Sequence, residues 1–399
     1  MEVEELLPQP EHTPNLLARQ SVGWQQVELA QPGRPTWIEV DLSAIAHNVR
    51  RLCEIIGPKV GLLAVLKANG YGHGAVKVAR TALNNGAHMA GVACVSEGIA
   101  LRRAGITAPI LVLGYTPAWQ AREALLEDIT VTVFTADVAR AFSKAAGELN
   151  RRARVHVKVD TGMGRLGLLP RQVLDFLGEI GNLPHLEIEG IFTHFSVADS
   201  DLDYTRWQLA RFNEVLDKVR HAGFTITYIH SANSSALLRL AEARFNLVRA
   251  GIAIYGLDPS PQAPLPDDFR SALTFKTRIA QVKTLPPGSY VSYGNAYRTQ
   301  GYERIAVIPV GYADGFRRAP RNWGEVLVKG QRAPIVGRVC MDQSMINVTH
   351  IPHARQGDEI VLIGQQGEEE ITADEVAEQL GTINYEVVSG IMARVPRVT

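Results

Sequence analysis

The chain has 399 residues, 46 % of them apolar and 21 % charged, with 41 basic residues against 41 acidic ones. That length suits two or three folded domains at roughly 150 residues each, and the zero net charge argues against a broad nucleic-acid footprint or an anionic membrane surface. Cys53, Cys94 and Cys340 are too few and too far apart for a disulfide framework, no apolar run approaches the ~20 residues that cross a bilayer, and the acidic start Met1–Glu5 is unlike a secretory signal, so a cytoplasmic location without membrane or nucleic-acid partners is expected.

Residues 1–34 contain Pro8, Pro10, Pro14 and Pro32 and little apolar periodicity, and read as a poorly ordered N-terminal extension. From residue 35 the texture is regular. Short β-rich runs fall at Gly61–Leu66, Met89–Val95, Pro109–Leu113, Ile129–Phe134, Arg154–Val159, Leu186–His194, Thr225–His230 and Asn246–Tyr255. Segments with helical spacing separate them. One opens at Thr135 and lines up Val138, Ala141, Phe142, Ala145 and Leu149. Another, about Asp203 to Arg220, has Phe212, Val215, Leu216 and Val219 as its stripe. Eight strands alternating with helices predict a (β/α)8 barrel over 35–269, in preference to an open doubly wound sheet.

After about Arg270 the pattern changes to strand-like runs joined by Gly- and Pro-containing turns: Phe275–Val282, Tyr290–Tyr293, Ile305–Val310, Glu325–Val328, Ala333–Val339, Ile346–Val348 and Glu359–Ile363. One helix, Thr372–Leu380, is opened by a Thr372…Glu375 capping box. A mostly β domain over 270–399 is expected.

Barrel chemistry sits at the C-terminal ends of the strands. There the chain places Lys67 to Gly74 after the first strand, Lys158 to Arg165 after the fifth, Thr193-His194 after the sixth, His230 to Ser235 after the seventh and Arg249-Ala250-Gly251-Ile252 at the eighth. A lysine desolvated at a strand end has a lowered pKa and serves as a Schiff-base nucleophile or a general base. Asn233-Ser234 and Gly251-Ile252 occupy the seventh- and eighth-strand positions that hold phosphate in many barrels. Lysine, phosphate cradle and a partner for a ring together suggest pyridoxal 5′-phosphate. A metal centre is not expected. His194, His230 and Asp160 come from neighbouring strands but lack the paired histidine spacing of barrel hydrolases.

Ala64–Gly74 resembles the pyridoxal-phosphate attachment motif of the alanine racemases. The resemblance runs from about Thr36 to Pro396 through Lys158–Gly167, Phe245–Leu257, Val291–Gly294, Gly311–Gly315 and Gly337–Asp342. It implies an isomerase that interconverts L- and D-alanine for peptidoglycan, on a barrel plus β domain, as a head-to-tail homodimer with shared active sites. By the same resemblance Lys67 is the attachment lysine and one base, and Tyr293 is the opposing base, supplied across the dimer. Arg249 faces the pyridine nitrogen. Tyr71, Asn233, Ser234, Gly251 and Ile252 hold the cofactor's phosphate end, and Arg165 braces its phenolate oxygen. His194 joins Tyr293 to Arg249, and Tyr312 and Met341 line the substrate end. Lys158 matches a lysine often carbamylated in the family, whose carboxylate pairs with Arg165.

Removing Cα–H from one face and returning it to the other requires only two acid–base groups. A tyrosine with its ordinary pKa near about 10 is a poor base at pH 7, and a cationic network through His194 and Arg249 would favour its phenolate. An arginine at the ring nitrogen keeps its own proton, so the ring is a weaker electron sink and transamination is restrained. A decarboxylase of the same fold would place a carboxylate there, and a non-catalytic cofactor-binding protein would need no second base. One departure stands out. Where the family commonly has a tyrosine two residues before Val-Pro-Arg, this chain has Ala393. The lost ring is expected to open the entrance and admit side chains beyond alanine, such as serine.

Overall fold

The computed structural model describes residues 33–399, so nearly all of the expected extension, residues 1–32, lies outside the described residues. In chain order the first strands are β1 (Trp37–Val40), β2 (Gly61–Val65), β3 (Met89–Val92), β4 (Ile110–Val112), β5 (Thr130–Val133), β6 (Ala153–Lys158), β7 (Leu186–Phe192), β8 (Tyr228–His230) and β9 (Leu247–Ala250). Strands β2 to β9 form one eight-stranded sheet in the order β8-β7-β6-β5-β4-β3-β2-β9. Every pairing in it is parallel. Just past β8 the Arg249 amide donates to the Ala232 carbonyl at 3.0 Å, which brings the two end strands together into a nearly closed barrel.

Each of the eight apolar runs therefore contains or overlaps a barrel strand. Their continuous apolar character follows from burial on both faces: Ile110, Leu111 and Val112 of β4 are all fully buried. The helix Leu202–His221 starts where Asp201 accepts the Tyr204 amide at 2.9 Å, and it buries Phe212, Val215, Leu216 and Val219 as the stripe predicts. In Ala136–Glu148 the buried face is Val138, Ala139, Phe142, Ser143 and Ala146. That differs from the expected stripe because alanines on several sides of the helix give periodicity little to choose between.

The second unit is a sheet built from Gln331–Pro334, Glu325–Val328, Glu359–Gln366, Leu273–Arg278, β1 and Arg397–Val398, in that order. Strand β1 belongs here. It runs antiparallel to Leu273–Arg278, with Ile38 opposite Phe275, and parallel to Arg397–Val398. The boundary at residue 35 had placed it with the barrel; a four-residue apolar run carries no mark of which sheet it will join. The expected strand Phe275–Val282 is two strands, Leu273–Arg278 and Gln281–Leu285, in different sheets. Thr372 caps the helix Ala373–Leu380 by accepting the Glu375 amide at 3.0 Å. A further helix, Asn384–Ser389, was not anticipated.

The chain's end returns to the barrel mouth. Arg397 Nε donates to the Gly72 carbonyl at 2.9 Å. Gly72 has φ +83°, and a Cβ there would lie 2.1 Å from the Val388 carbonyl oxygen, so only glycine lets Asn384–Ser389 dock on the loop after β2.

Candidate active site

A cavity of about 720 Å³ opens at the C-terminal ends of the barrel strands. Lys67, Tyr71, Lys158, Arg165, His194, Asn233, Ser234, Arg249, Gly251 and Ile252 all line it. Lys67 follows β2 after Leu66, and the next four residues, Ala68, Asn69, Gly70 and Tyr71, all have φ between +50° and +63°. A left-handed turn of this kind costs non-glycine residues about 1–2 kcal/mol each, so its neighbours must hold it. Glu97 does much of that, accepting the Ala68 amide with one oxygen and the Ala93 amide with the other, each at 2.8 Å. Asn69 accepts the Ala75 amide at 3.0 Å. The tight turn is how two residues only four apart, Lys67 and Tyr71, both reach the cavity. Desolvation first, then the charge of Arg165, lowers the Lys67 pKa, against an opposing pull from Glu97.

At one end of the cavity Asn233 caps the helix Ser234–Arg239 by accepting the Ala236 amide at 3.0 Å. Ser234 Oγ accepts the Gly251 amide at 3.0 Å and the Ala253 amide at 3.4 Å. A Cβ on Gly251 would fall 2.7 Å from the Tyr71 hydroxyl. The hollow there is kept open by the absence of that atom, with hydroxyls and backbone amides around it, and this donor set fits a phosphate.

Tyr385 closes the same end. It comes from Asn384–Ser389, lines the cavity and lies 6.0 Å, centroid to centroid, from Tyr71. The opened entrance expected from Ala393 is therefore absent: Ala393 is exposed and does not line the cavity. The aromatic ring at the mouth is delivered eight positions earlier, by a helix that the sequence reading did not identify. For the activity that the resemblance implies, Ala393→Tyr should accordingly leave the ratio of kcat/KM for L-alanine over L-serine unchanged. Tyr385→Ala should lower that ratio by about tenfold, the usual worth of lost pocket contacts. A raised ratio in Ala393→Tyr would reverse this assignment.

Arg249 is a buried charge at this site. Its guanidinium donates to the Thr193 and Ser231 carbonyls at 3.0 and 2.9 Å, to His230 Nδ1 at 2.9 Å and to His194 Nδ1 at 3.2 Å. Among the described residues no carboxylate pairs with it. Burial pushes its pKa down to about 9, still above neutral pH. An arginine can only donate, so His194 must accept at Nδ1 and, when neutral, carries its proton on Nε2. Burial, then repulsion from Arg249, holds His194 well below its ordinary pKa, so neutral is its state. His230, one of the scattered metal-ligand candidates, is instead a hydrogen-bonded partner of Arg249 and His156. Asp160, another, accepts the Gly162, Met163 and Gly164 amides and so shapes the loop between Lys158 and Arg165. Among the described residues no group of three His, Cys, Asp or Glu side chains is arranged to hold a metal. Lys158 is buried, 5.3 Å from the Phe192 ring centre, and burial followed by the charges of Arg249 and Arg165 pushes it down to about 8.

Tyr293, Tyr312 and Met341 do not line this cavity within one chain. They are 67 %, 40 % and 54 % exposed. One patch gathers them: Ser292 Oγ donates to the Arg338 carbonyl, and the Tyr312 and Ala313 amides donate to the Cys340 and Met341 carbonyls at 3.0 Å. Large apolar side chains clustered on a surface mark a site of contact with another molecule.

Comparison with known proteins matches residues 40–259 to the alanine racemase N-terminal domain and residues 272–399 to the alanine racemase C-terminal domain. An alanine racemase of Desulfovibrio desulfuricans is 47 % identical over 366 residues, covering 92 % of this chain and 98 % of its own. One from Symbiobacterium thermophilum is 49 % identical over 365 residues, covering 91 % and 97 %. Among solved structures, alanine racemase from Bacillus anthracis with bound L-Ala-P superposes with a TM-score of 0.88 at 43 % identity, covering 92 % of this chain and 96 % of that one. Alanine racemase from Streptomyces lavendulae, a D-cycloserine producer, superposes with a TM-score of 0.87 at 38 % identity, covering 92 % and 97 %.

Proposed function

This chain belongs to the alanine racemase family, and from that premise we propose that it racemises alanine with pyridoxal 5′-phosphate held in the barrel mouth, using Lys67 and Tyr293 of the partner subunit as two opposed acid–base groups. The observation that carries this reading is one cavity joining a desolvated lysine, a hollow edged by the Tyr71 and Ser234 hydroxyls, and a buried arginine without a carboxylate partner. In that arrangement Tyr71, Ser234, Gly251 and Ile252 would hold the phosphate, Arg249 would serve the pyridine nitrogen and Arg165 the phenolate oxygen. When bound, pyridoxal phosphate supplies electron withdrawal that makes the Cα proton of an amino acid removable.

Lys67 handles that proton on one face. Its lowered pKa favours the free amine that a base requires. The opposite face needs a second group; of the two titratable side chains that the β domain of the same chain brings to the cavity, burial pushes the Tyr385 phenol up, away from the phenolate a base requires, and Glu386 is engaged by Arg317 and Thr382. Tyr293, Tyr312 and Met341 share an exposed patch, as side chains that enter the site of a second copy would. In a head-to-tail homodimer Tyr293 of the partner subunit meets His194, whose Nε2–H points the donor toward it because Nδ1 is taken by Arg249. D-alanine made this way would serve peptidoglycan synthesis in the cytoplasm.

Lys158 is proposed to carry carbon dioxide as a carbamate. The neutral amine that its lowered pKa supplies attacks CO2 and loses a proton, and the resulting anion lies among Arg249, Arg165 and Lys67, whose charges all disfavour a cation at that point. With 13C-bicarbonate, a carbamate carbon signal is expected that disappears in Lys158→Met; identical spectra for the two proteins would leave the lysine unmodified.

The activity itself is tested by giving the purified protein pyridoxal phosphate and single L-amino acids, then separating the products by chiral chromatography. D-alanine should form fastest by a wide margin. If the cofactor binds and nothing racemises, the chain is a cofactor-binding protein and not a racemase.

A further inference from the structure

We infer that Glu189 is a positioning residue for Arg249, acting across the barrel interior through His156 and His230. Barrel interiors are usually packed with branched apolar side chains. Here β6, β7, β8 and β9 instead enclose a polar column. Arg249 donates to His230 Nδ1 at 2.9 Å, His230 Nε2 lies 2.9 Å from His156 Nδ1, and His156 Nε2 lies 3.2 Å from Glu189 Oε2. Both imidazoles are fully buried, while Glu189 keeps 16 % side-chain exposure at the far end.

The chain of bonds has one consistent direction. Arg249 has only donors, so His230 accepts at Nδ1 and, being neutral, bears its proton on Nε2. That proton is donated to His156 Nδ1, which puts the His156 proton on Nε2 as well. Glu189 is the acceptor that ends the series. Every donor then has a partner, and neither ring is free to rotate or change tautomer without orphaning a buried group. Burial is the main cause holding both rings below their ordinary pKa, and the Arg249 charge adds to it.

The backbone is shaped to lodge this column. The register of β6 against β7 shifts between Val155 and His156. Gly190, next to Glu189, would place a Cβ 2.5 Å from His156 Nδ1. Phe192 stacks on His230 with ring centres 4.6 Å apart and planes 5° apart, and Tyr228 stacks on His156 at 5.8 Å. Arg154 stands 3.9 Å from the second oxygen of Glu189.

This role for Glu189 rests on the proposed function only in what Arg249 does at the cavity, so the test reads the rings themselves. In full-length protein labelled with 15N-histidine, His156 and His230 should both appear as Nε2–H tautomers, with or without pyridoxal phosphate. Glu189→Leu should change the tautomer or broaden the resonance of at least one ring. It should also hasten pyridoxal phosphate loss on dialysis by on the order of tenfold, as an orphaned buried donor would. Glu189→Gln retains a carbonyl acceptor and should restore both readouts. Gly190→Ala, whose methyl displaces the His156 ring, should reproduce Glu189→Leu and carries the test if that variant does not fold. Unchanged ring resonances in Glu189→Leu or Gly190→Ala, or a Glu189→Gln protein no better than Glu189→Leu, would overturn the role. A wild-type protein that shows the expected tautomers but fails to bind pyridoxal phosphate would instead refute the proposed function and leave the Glu189 series intact.

Discussion

Two inactive variants should make an active heterodimer. Lys67→Ala removes the base proposed for one face together with the proposed attachment amine, and Tyr293→Phe removes the phenol proposed for the other face. Loss of one positioned acid–base group costs about 10²- to 10⁴-fold in rate, and Lys67→Ala should fall at or beyond that range. Tyr293 is 67 % exposed and absent from the cavity lining of its own chain, so its loss is damaging only if it works in a second copy. Co-expressing the two variants with different tags, and purifying the dimer that carries both, should then give one site with two intact groups and one with neither. Such a dimer should show about half the wild-type rate, as two symmetric sites require. A heterodimer as inactive as its parents would mean that each site is complete within one chain or that Tyr293 is no base.

The next largest effect is expected at Arg249. Arg249→Met leaves the Thr193 and Ser231 carbonyls and the His230 and His194 nitrogens without their donor in a buried space. Buried groups stripped of partners cost about 1–3 kcal/mol each, partly shared when the rings can readjust. The melting temperature should drop by on the order of 5 °C. Racemisation should fall further than stability explains, because His194 loses the bond that fixes its tautomer. Thermal unfolding with and without pyridoxal phosphate separates the two effects. A variant with normal melting and normal rate would remove Arg249 from both roles.

The barrel was legible because its strands are local apolar runs bounded by turn residues, and parallel burial makes those runs continuous. The lysine and arginine of the candidate site were legible for a related reason: each stands at or near the end of such a run, where barrel topology gives position a chemical meaning. Ala393 shows where that kind of reading stops. Its place in the chain suggested a widened mouth, yet the ring that lines the cavity there belongs to Tyr385, because Gly72 lets the helix Asn384–Ser389 dock against the loop that follows Lys67. Likewise β1 was assigned by its neighbours in sequence, while its hydrogen-bonding partners are Leu273–Arg278 and Arg397–Val398.

By itself, then, the sequence determined the alternation of strands and helices, the strand-end placement of Lys67, Lys158, His194 and Arg249, and the resemblance to a racemase family. Periodicity, turn residues and motif spacing are properties of neighbouring residues, and they survive being read without coordinates. Tertiary structure alone decided the left-handed turn held by Glu97, the ring that closes the cavity, the column from Glu189 to Arg249, and the surface on which Tyr293 waits. Each of these depends on residues tens to hundreds of positions apart, brought together when the barrel closes and the chain's end returns to it, and no local pattern encodes that distance.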